Sequence, residues 1–335
     1  MEGHGKARER SLAIFLALSL VFPSAIHAAT NQQDSTQPSM NQEQPAAAIS
    51  VNVELVVLHA TVRDKKGRVI SGLKKDDFQV YENDQPQTIE LLLHEDVPVA
   101  VGLVVDNSSS MRPKQSDVAA ASSAFVKSSN AEDEMFLVNF NENVTFGLPD
   151  TQLFSAKPSE LDRVLMGVPA RGKTALYDAI ETSLKHLQKA SRDKKVLIVI
   201  SDGGDNASTH TLNQVLRDAG RSVAIIYTIG LFDEDDKDRN PSVLKQMAHA
   251  TGGEAFFPEQ TSEVVRICKR IAADLRNQYT MAYSPTNQTF DGSYRTIKVT
   301  ANGPHGEKLL VRTRAGYIAS ADRNSTAAGS QYGVR

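Results

Sequence analysis

Val99-Ala100-Val101-Gly102-Leu103-Val104-Val105-Asp106-Asn107-Ser108-Ser109-Ser110 is the stretch on which the fold turns. Its first seven residues are a continuous apolar run of strand length, the pattern of a strand buried on both faces rather than of one with a wet side. The run stops abruptly at a carboxylate, and a helical pattern from Ser116 to Ser128 follows the loop. A strand, a polar loop and a helix in that order form the unit from which parallel sheets are built.

Downstream the same rhythm repeats. Met135 to Phe140 and Val144 to Leu148 read as strands, Ala175 to Lys189 as a helix, and Val196 to Ile200 as a second fully apolar strand. Leu212 to Ala219 is helical, Val223 to Ile229 a strand, Val243 to Ala250 a helix, Glu254 to Phe256 a short strand, and Ser262 to Arg276 a closing helix. These alternations predict a doubly wound α/β domain over residues 98–278, with a mostly parallel sheet and helices on both faces. Ligands of such sheets bind beyond the carboxyl ends of the strands.

On either side the period changes to two. Val51, Val53, Leu55 and Val57 alternate ahead of a turn at Asp64 to Gly67 and a strand-like Phe78-Gln79-Val80-Tyr81. Beyond Gln278, Tyr279 to Tyr283, Thr296 to Thr300 and Leu309 to Arg314 alternate in the same way. Residues 50–97 and 279–319 are therefore expected to pair as one smaller β-sandwich-like module, with the α/β domain inserted between them. Residues 320–335 read as a loose polar tail.

The N-terminus reads as an export signal. Lys6, Arg8 and Arg10 precede an apolar run from Leu12 to Phe22, and small residues at Ala28 and Ala29 offer a cleavage site, so residues 1–28 are expected to be removed. Residues 29–49 are rich in Gln, Ser, Pro, Asn and Ala and form a flexible leader. The mature chain is then expected in the periplasm, at the cell surface or outside the cell, with no integral membrane span. The full sequence of 335 residues carries 37 Lys and Arg against 40 Asp and Glu, a net charge of -3, which argues against a nucleic-acid partner. Cys268 is the only cysteine, so neither a disulfide nor a cysteine-based zinc or iron–sulfur site can form within one chain. Its spacing with Val264, Ile271 and Leu275 marks a buried structural thiol.

The chemistry is concentrated at strand ends. Asp106, Ser108 and Ser110 follow the first buried strand in the spacing Asp-x-Ser-x-Ser. Ser201-Asp202-Gly203-Gly204 closes the second apolar strand, and Gly172-Lys173-Thr174-Ala175 introduces a helix between them. Two carboxylates and three hydroxyls are all hard oxygen donors, suited to Mg²⁺ first, or to Mn²⁺ or Ca²⁺. With only two protein charges, a bound divalent cation is not over-neutralised, and a vacant or water-filled position can accept a carboxylate from outside.

In this pattern the sequence resembles von Willebrand factor A domains that carry a metal-ion-dependent adhesion site. The resemblance implies that Ser108, Ser110 and Thr174 coordinate the cation directly, and Asp106 and Asp202 directly or through water. It also implies a VWA/Rossmann-like fold, an adhesion or binding role, and a protein partner presenting an Asp or Glu carboxylate. Gly72 to Phe78, Val80 to Asn83, Leu275 to Tyr279 and Arg314 to Tyr317 resemble the secreted bacterial VWFA-related family first grouped from acidobacterial genomes.

Other readings weigh less. Neither Ser108 nor Ser110 lies in a Gly-x-Ser-x-Gly elbow, and no histidine has an evident place as a base, so an enzyme is not expected. A metal-assisted hydrolase is the weakest alternative, and a structural scaffold of the cell envelope is the stronger one. His186, His210 and His249 are expected at the surface. Gly172-Lys173-Thr174 lacks the upstream glycine of a phosphate loop. Arg171 and Lys173 flank Thr174 and are placed to steer an acidic ligand. Asp233 to Asp236 with Asp238 form an acidic loop without calcium-loop spacing.

Overall fold

The computed structural model describes residues 55–165, 168–232 and 239–319. The signal, leader and tail expected at residues 1–28, 29–49 and 320–335, and the acidic loop at 233–238, lie outside the described residues. Among those described, no helix is long and apolar enough to cross a membrane.

Four strands come first: β1 (Val56–Arg63), β2 (Phe78–Glu82), β3 (Gln85–Gln87) and β4 (Leu91–Leu93). The α/β domain then runs β5 (Ala100–Asp106), α1 (Gln115–Ser128), β6 (Glu134–Phe140), β7 (Val144–Phe146), α2 (Pro158–Leu165) and α3 (Leu176–Leu187). It continues with β8 (Lys195–Ser201), α4 (Leu212–Arg221), β9 (Ile225–Gly230), α5 (Pro241–Thr251), β10 (Ala255–Phe256) and α6 (Val264–Arg276). Four more strands close the chain: β11 (Tyr279–Tyr283), β12 (Tyr294–Ala301), β13 (Leu310–Arg312) and β14 (Gly316–Ile318).

The central sheet has the order β10-β9-β8-β5-β6-β7. All its pairings are parallel except β6 with β7. Every residue of β5 and of β9 is buried, as the uninterrupted apolar runs require of strands covered on both faces. In one helical layer α1 packs on α6 and α2, and in the other α4 packs on α3 and α5. Gly102 sits at the crowded middle of β5, where an added Cβ would overlap Phe136 Cζ and come within 2.7 Å of Leu197 Cδ2.

The flanking strands form two four-stranded sheets, β13-β1-β11-β4 and β14-β12-β2-β3, each mixing strands from both ends of the chain. They share a second core that includes Leu58, Val62, Phe78, Val80, Tyr279, Met281, Tyr283, Ile297 and Val299. The expected β-sandwich-like module therefore forms. Its phase in β1 differs from the expected one: Val56, Leu58, Ala60 and Val62 face the core, while Leu55 and Val57 are only half-buried. Leu55-Val56-Val57-Leu58 has no polar residue to set the phase, so β11 sets it by pairing Val56 with Tyr283 through to Ala60 with Tyr279.

Two polar side chains occupy core positions of this module. Glu82 of β2 and Arg295 of β12 are 3% and 2% exposed, and Arg295 Nη1 donates to Glu82 Oε1 at 3.0 Å. The hydroxyls of Tyr283 and Tyr317 donate to Glu82 Oε2 at 2.7 and 2.8 Å. Arg295 also donates to the carbonyls of Asn287 and Thr289. The sandwich is tied to the α/β domain through Asp274 of α6, which is buried and pairs with Arg63 of β1 at 2.5 Å and with Arg312 of β13 at 3.4 Å.

Candidate metal centre

β5 and β8 are neighbours in the sheet, paired from Ala100 with Lys195 to Val105 with Ile200, so their carboxyl ends emerge side by side. Asp106 is the last residue of β5 and Asp202 the first beyond β8. Both are buried, at 1% and 2% exposure.

The four residues Asp106, Ser108, Ser110 and Asp202 form one hydrogen-bonded cluster. The Ser108 amide donates to Asp106 Oδ1 at 2.8 Å, and the Ser201 hydroxyl donates to Asp106 Oδ2 at 2.6 Å. Ser108 Oγ and Ser110 Oγ lie 3.1 Å apart, and Ser110 Oγ donates to Asp202 Oδ2 at 2.5 Å. The remaining oxygen of Asp202 accepts from the Gly204 amide at 3.0 Å.

Thr174 is delivered to the same edge by latches on both sides. On the β5 side, Arg171 N donates to Asn107 O at 2.8 Å and Ser109 N to Gly172 O at 3.2 Å. On the β8 side, Thr174 N donates to Asn206 Oδ1 at 2.9 Å, and Asn206 N donates back to Thr174 O at 2.9 Å. Thr174 is itself buried. The structure thus brings Asp106, Ser108, Ser110 and Asp202 into direct contact and seats Thr174 in the adjoining loop.

Burial and the neighbouring charge of Asp202 push the Asp106 carboxyl up to about 6, against the opposing hydrogen bonds from Ser108 and Ser201. Two desolvated carboxylates share the site, and neither is in a salt bridge among the described residues. Lys114 is close in sequence, but its ammonium donates to Leu231 O at 3.0 Å. The arrangement is costly for two anions alone, and a cation between them would relieve it. The described residues contain no cluster of three His, Cys, Asp or Glu side chains at metal-binding distance, so the donor set here is two carboxylates and hydroxyls. That set fits a hard cation and not a soft one.

Sequence reading did not assign roles to Ser201 and Asn206, the residues that hold Asp106 and Thr174 in place. Their signal was available in the Ser and Asn flanking Asp202, but their partners lie on other elements. Asp205 caps α3 through the Tyr177 amide at 3.2 Å and takes no part in the cluster. His186 corrects the expectation of a surface residue: it is buried, ringed by Phe136, Phe146 and Phe154, with Nε2 2.9 Å from Leu153 O. Its position on the inner face of the amphipathic α3, beside the edge strands, explains the burial. His210 binds Asp178 at 2.7 Å and His249 is exposed. Cys268 is fully buried, with burial pushing its thiol up to about 12.

A family profile, the von Willebrand factor type A domain, matches residues 101–269, half of the chain. The chain belongs to that family. Type A domains are for the most part non-enzymatic modules that bind protein partners. Among solved structures, a von Willebrand factor type A protein from Catenulispora acidiphila aligns with 13% identity and a TM-score of 0.49, over 74% of this chain and 75% of that one. The vWF domain of the type V pili tip protein Mfa5 from Porphyromonas gingivalis aligns with 15% identity and a TM-score of 0.45, over 53% and 95%. BatB from Bacteroides thetaiotaomicron aligns with 16% identity and a TM-score of 0.43, over 52% and 98%. No curated protein matches the chain.

Proposed function

We propose that this type A domain holds a divalent cation, Mg²⁺ foremost, among Asp106, Ser108, Ser110, Thr174 and Asp202. Through it, the domain captures an Asp or Glu carboxylate of a protein partner. The observation that carries this reading is the pair of buried carboxylates bridged by Ser108 and Ser110, at the sheet edge where such folds bind ligands. When bound, the cation supplies a Lewis-acidic position for an incoming carboxylate. Ser108, Ser110 and Thr174 contribute neutral oxygens, and Asp106 and Asp202 contribute one negative charge each, so the protein neutralises the divalent cation without over-neutralising it. Ser201 and Gly204 fix the two carboxylates from behind.

The domain acts as a binding module rather than as an enzyme. Ser108 and Ser110 bond to one another and to Asp202, whereas His59, His186 and His210 hydrogen-bond elsewhere. Export rests on the basic and apolar N-terminal sequence.

The test is thermal unfolding in EDTA against Mg²⁺, Mn²⁺ or Ca²⁺, beside Asp106→Ala. A cation that binds only the folded state at a hundredfold excess over its Kd adds about 2.7 kcal/mol. For domains this large that raises Tm by roughly 5–10 °C. The rise is expected in the parent and absent from Asp106→Ala. Equal melting of the parent in EDTA and in all three cations would refute the metal site and favour a scaffold.

A further inference from the structure

The proposed site has a cationic rim that the coordination chemistry does not use. Arg112 lies two residues beyond Ser110, and Arg171 and Lys173 lie three and one residues before Thr174. All three are exposed. None is in a salt bridge among the described residues, although many other surface cations are, among them Lys127, Lys185, Arg266 and Arg270.

Their backbone, in contrast, is held tightly. Arg171 N donates to Asn107 O, and Ser109 N to Gly172 O. Lys173 N donates to Glu142 Oε2 at 3.0 Å. Arg112 is held through its side chain, with Nε donating to Ala170 O at 3.3 Å. Gly172 has φ +80°, and the space a Cβ would need is filled by the Glu142 carboxylate, so this tight turn is restricted to glycine. The loop is thus latched to the site while its charged side chains face solvent. Glu142 is the nearby anion, and it is engaged with the loop backbone.

We propose, resting on the metal-capture reading above, that the partner is an acidic segment and not an isolated carboxylate. One Asp or Glu meets the cation, and further acidic residues two or three positions away meet Arg171, Lys173 and Arg112. At about 3.3 Å per extended residue, Arg171 and Lys173 lie within roughly 10 Å of Thr174 along the chain, and Arg112 within roughly 7 Å of Ser110. That is about one Debye length at physiological salt, so the rim acts on a bound segment at close range. Exposed pairs are individually weak, and two or three together raise affinity on the order of tenfold.

Two synthetic peptides of equal length test this by ligand-observed NMR titration in Mg²⁺. One holds a single Asp among Gly and Ser, and the other adds two Glu residues starting two positions after the Asp. The acidic peptide is expected to bind the parent about tenfold more tightly than the single-Asp peptide. The advantage should vanish in Arg171→Gln/Lys173→Gln and shrink as salt is raised, while EDTA abolishes binding of both peptides. Equal affinity of the two peptides, an advantage that survives in the double variant, or no binding of the acidic peptide while cation-dependent Tm shifts persist, overturns the rim. An advantage that persists undiminished in EDTA but is lost in the double variant keeps the rim and overturns metal capture instead.

Discussion

Removing either half of the buried Glu82–Arg295 pair should damage the protein more than removing both. In Arg295→Met the Glu82 carboxylate stays buried with only the Tyr283 and Tyr317 hydroxyls as donors. In Glu82→Met the guanidinium stays buried against the carbonyls of Asn287 and Thr289, and both tyrosine hydroxyls lose their acceptor. Breaking a buried pair from one side costs about 3–5 kcal/mol. At about 2–4 °C per kcal/mol, each single variant should melt on the order of 10 °C or more below the parent. In the double variant no charge is left uncompensated; the remaining cost is two hydroxyls without acceptors, about 1 kcal/mol or more apiece, while the carbonyls of Asn287 and Thr289, both on exposed residues, turn to water. The double variant should therefore be no less stable than Glu82→Met, with a coupling energy of at least about 2 kcal/mol. Circular dichroism melts of the four proteins close the cycle. Single-variant losses that add to within about 0.5 kcal/mol in the double variant would show that the two groups do not interact, and the argument fails.

Three further outcomes follow from buried Gly102 and Cys268 and half-buried His59. Gly102→Val drives a branched side chain into Phe136 and Leu197 and should destabilise by about 1–3 kcal/mol in denaturant titrations; an unchanged midpoint would contradict the packing of β5. Burial, with the charges of Lys194 and Arg314, holds His59 down to about 3, so the folded protein keeps it neutral while the unfolded chain protonates below pH 6.5. Stability is then lost as pH falls through that window, by about 2 kcal/mol between pH 8 and pH 5, and His59→Gln should remove that part of the acid sensitivity. If parent and His59→Gln lose stability in parallel, the histidine is not the cause. Cys268, fully buried with its thiol pushed up to about 12, should react with a thiol reagent only as fast as the protein opens, so labelling of the native protein at the rate of a free thiol would place it wrongly.

What sequence reveals here depends on whether the deciding neighbours are local. β5 is legible because Val99 to Val105 are seven consecutive buried positions with no polar residue to alternate, and only a strand covered on both faces tolerates that. Asp106, Ser108 and Ser110 are legible for the same reason: once the strand end is known, the next residues must lie on the ligand edge. The short α2 escapes notice because it buries a single side chain, Leu161, and starts at a proline. His186 looks like one polar residue on a helix until Phe136, Phe146 and Phe154 arrive from elsewhere in the chain. Glu82 and Arg295 are 213 positions apart, and in isolation each reads as an outward-facing charge. Their burial is a property of strand pairing between the two ends of the chain, Ile297 with Glu82 among the pairs, which no local pattern encodes.

That pairing also explains how a sandwich can flank the domain without obstructing its site. The chain enters the central sheet at Ala100, the amino end of β5, and leaves through Arg276 at the end of α6 into β11. The buried ties between the modules cluster there. Arg63 and Arg312 reach Asp274 one turn or less from the end of α6, and Arg314 donates to Gly220 O near the end of α4. The residues proposed to hold the cation lie at the carboxyl ends of the same strands, a full strand length away. The sandwich therefore anchors the domain from the pole where the backbone already crosses. The edge bearing Asp106, Asp202 and the exposed Arg171 and Lys173 is the one at which partner capture is proposed.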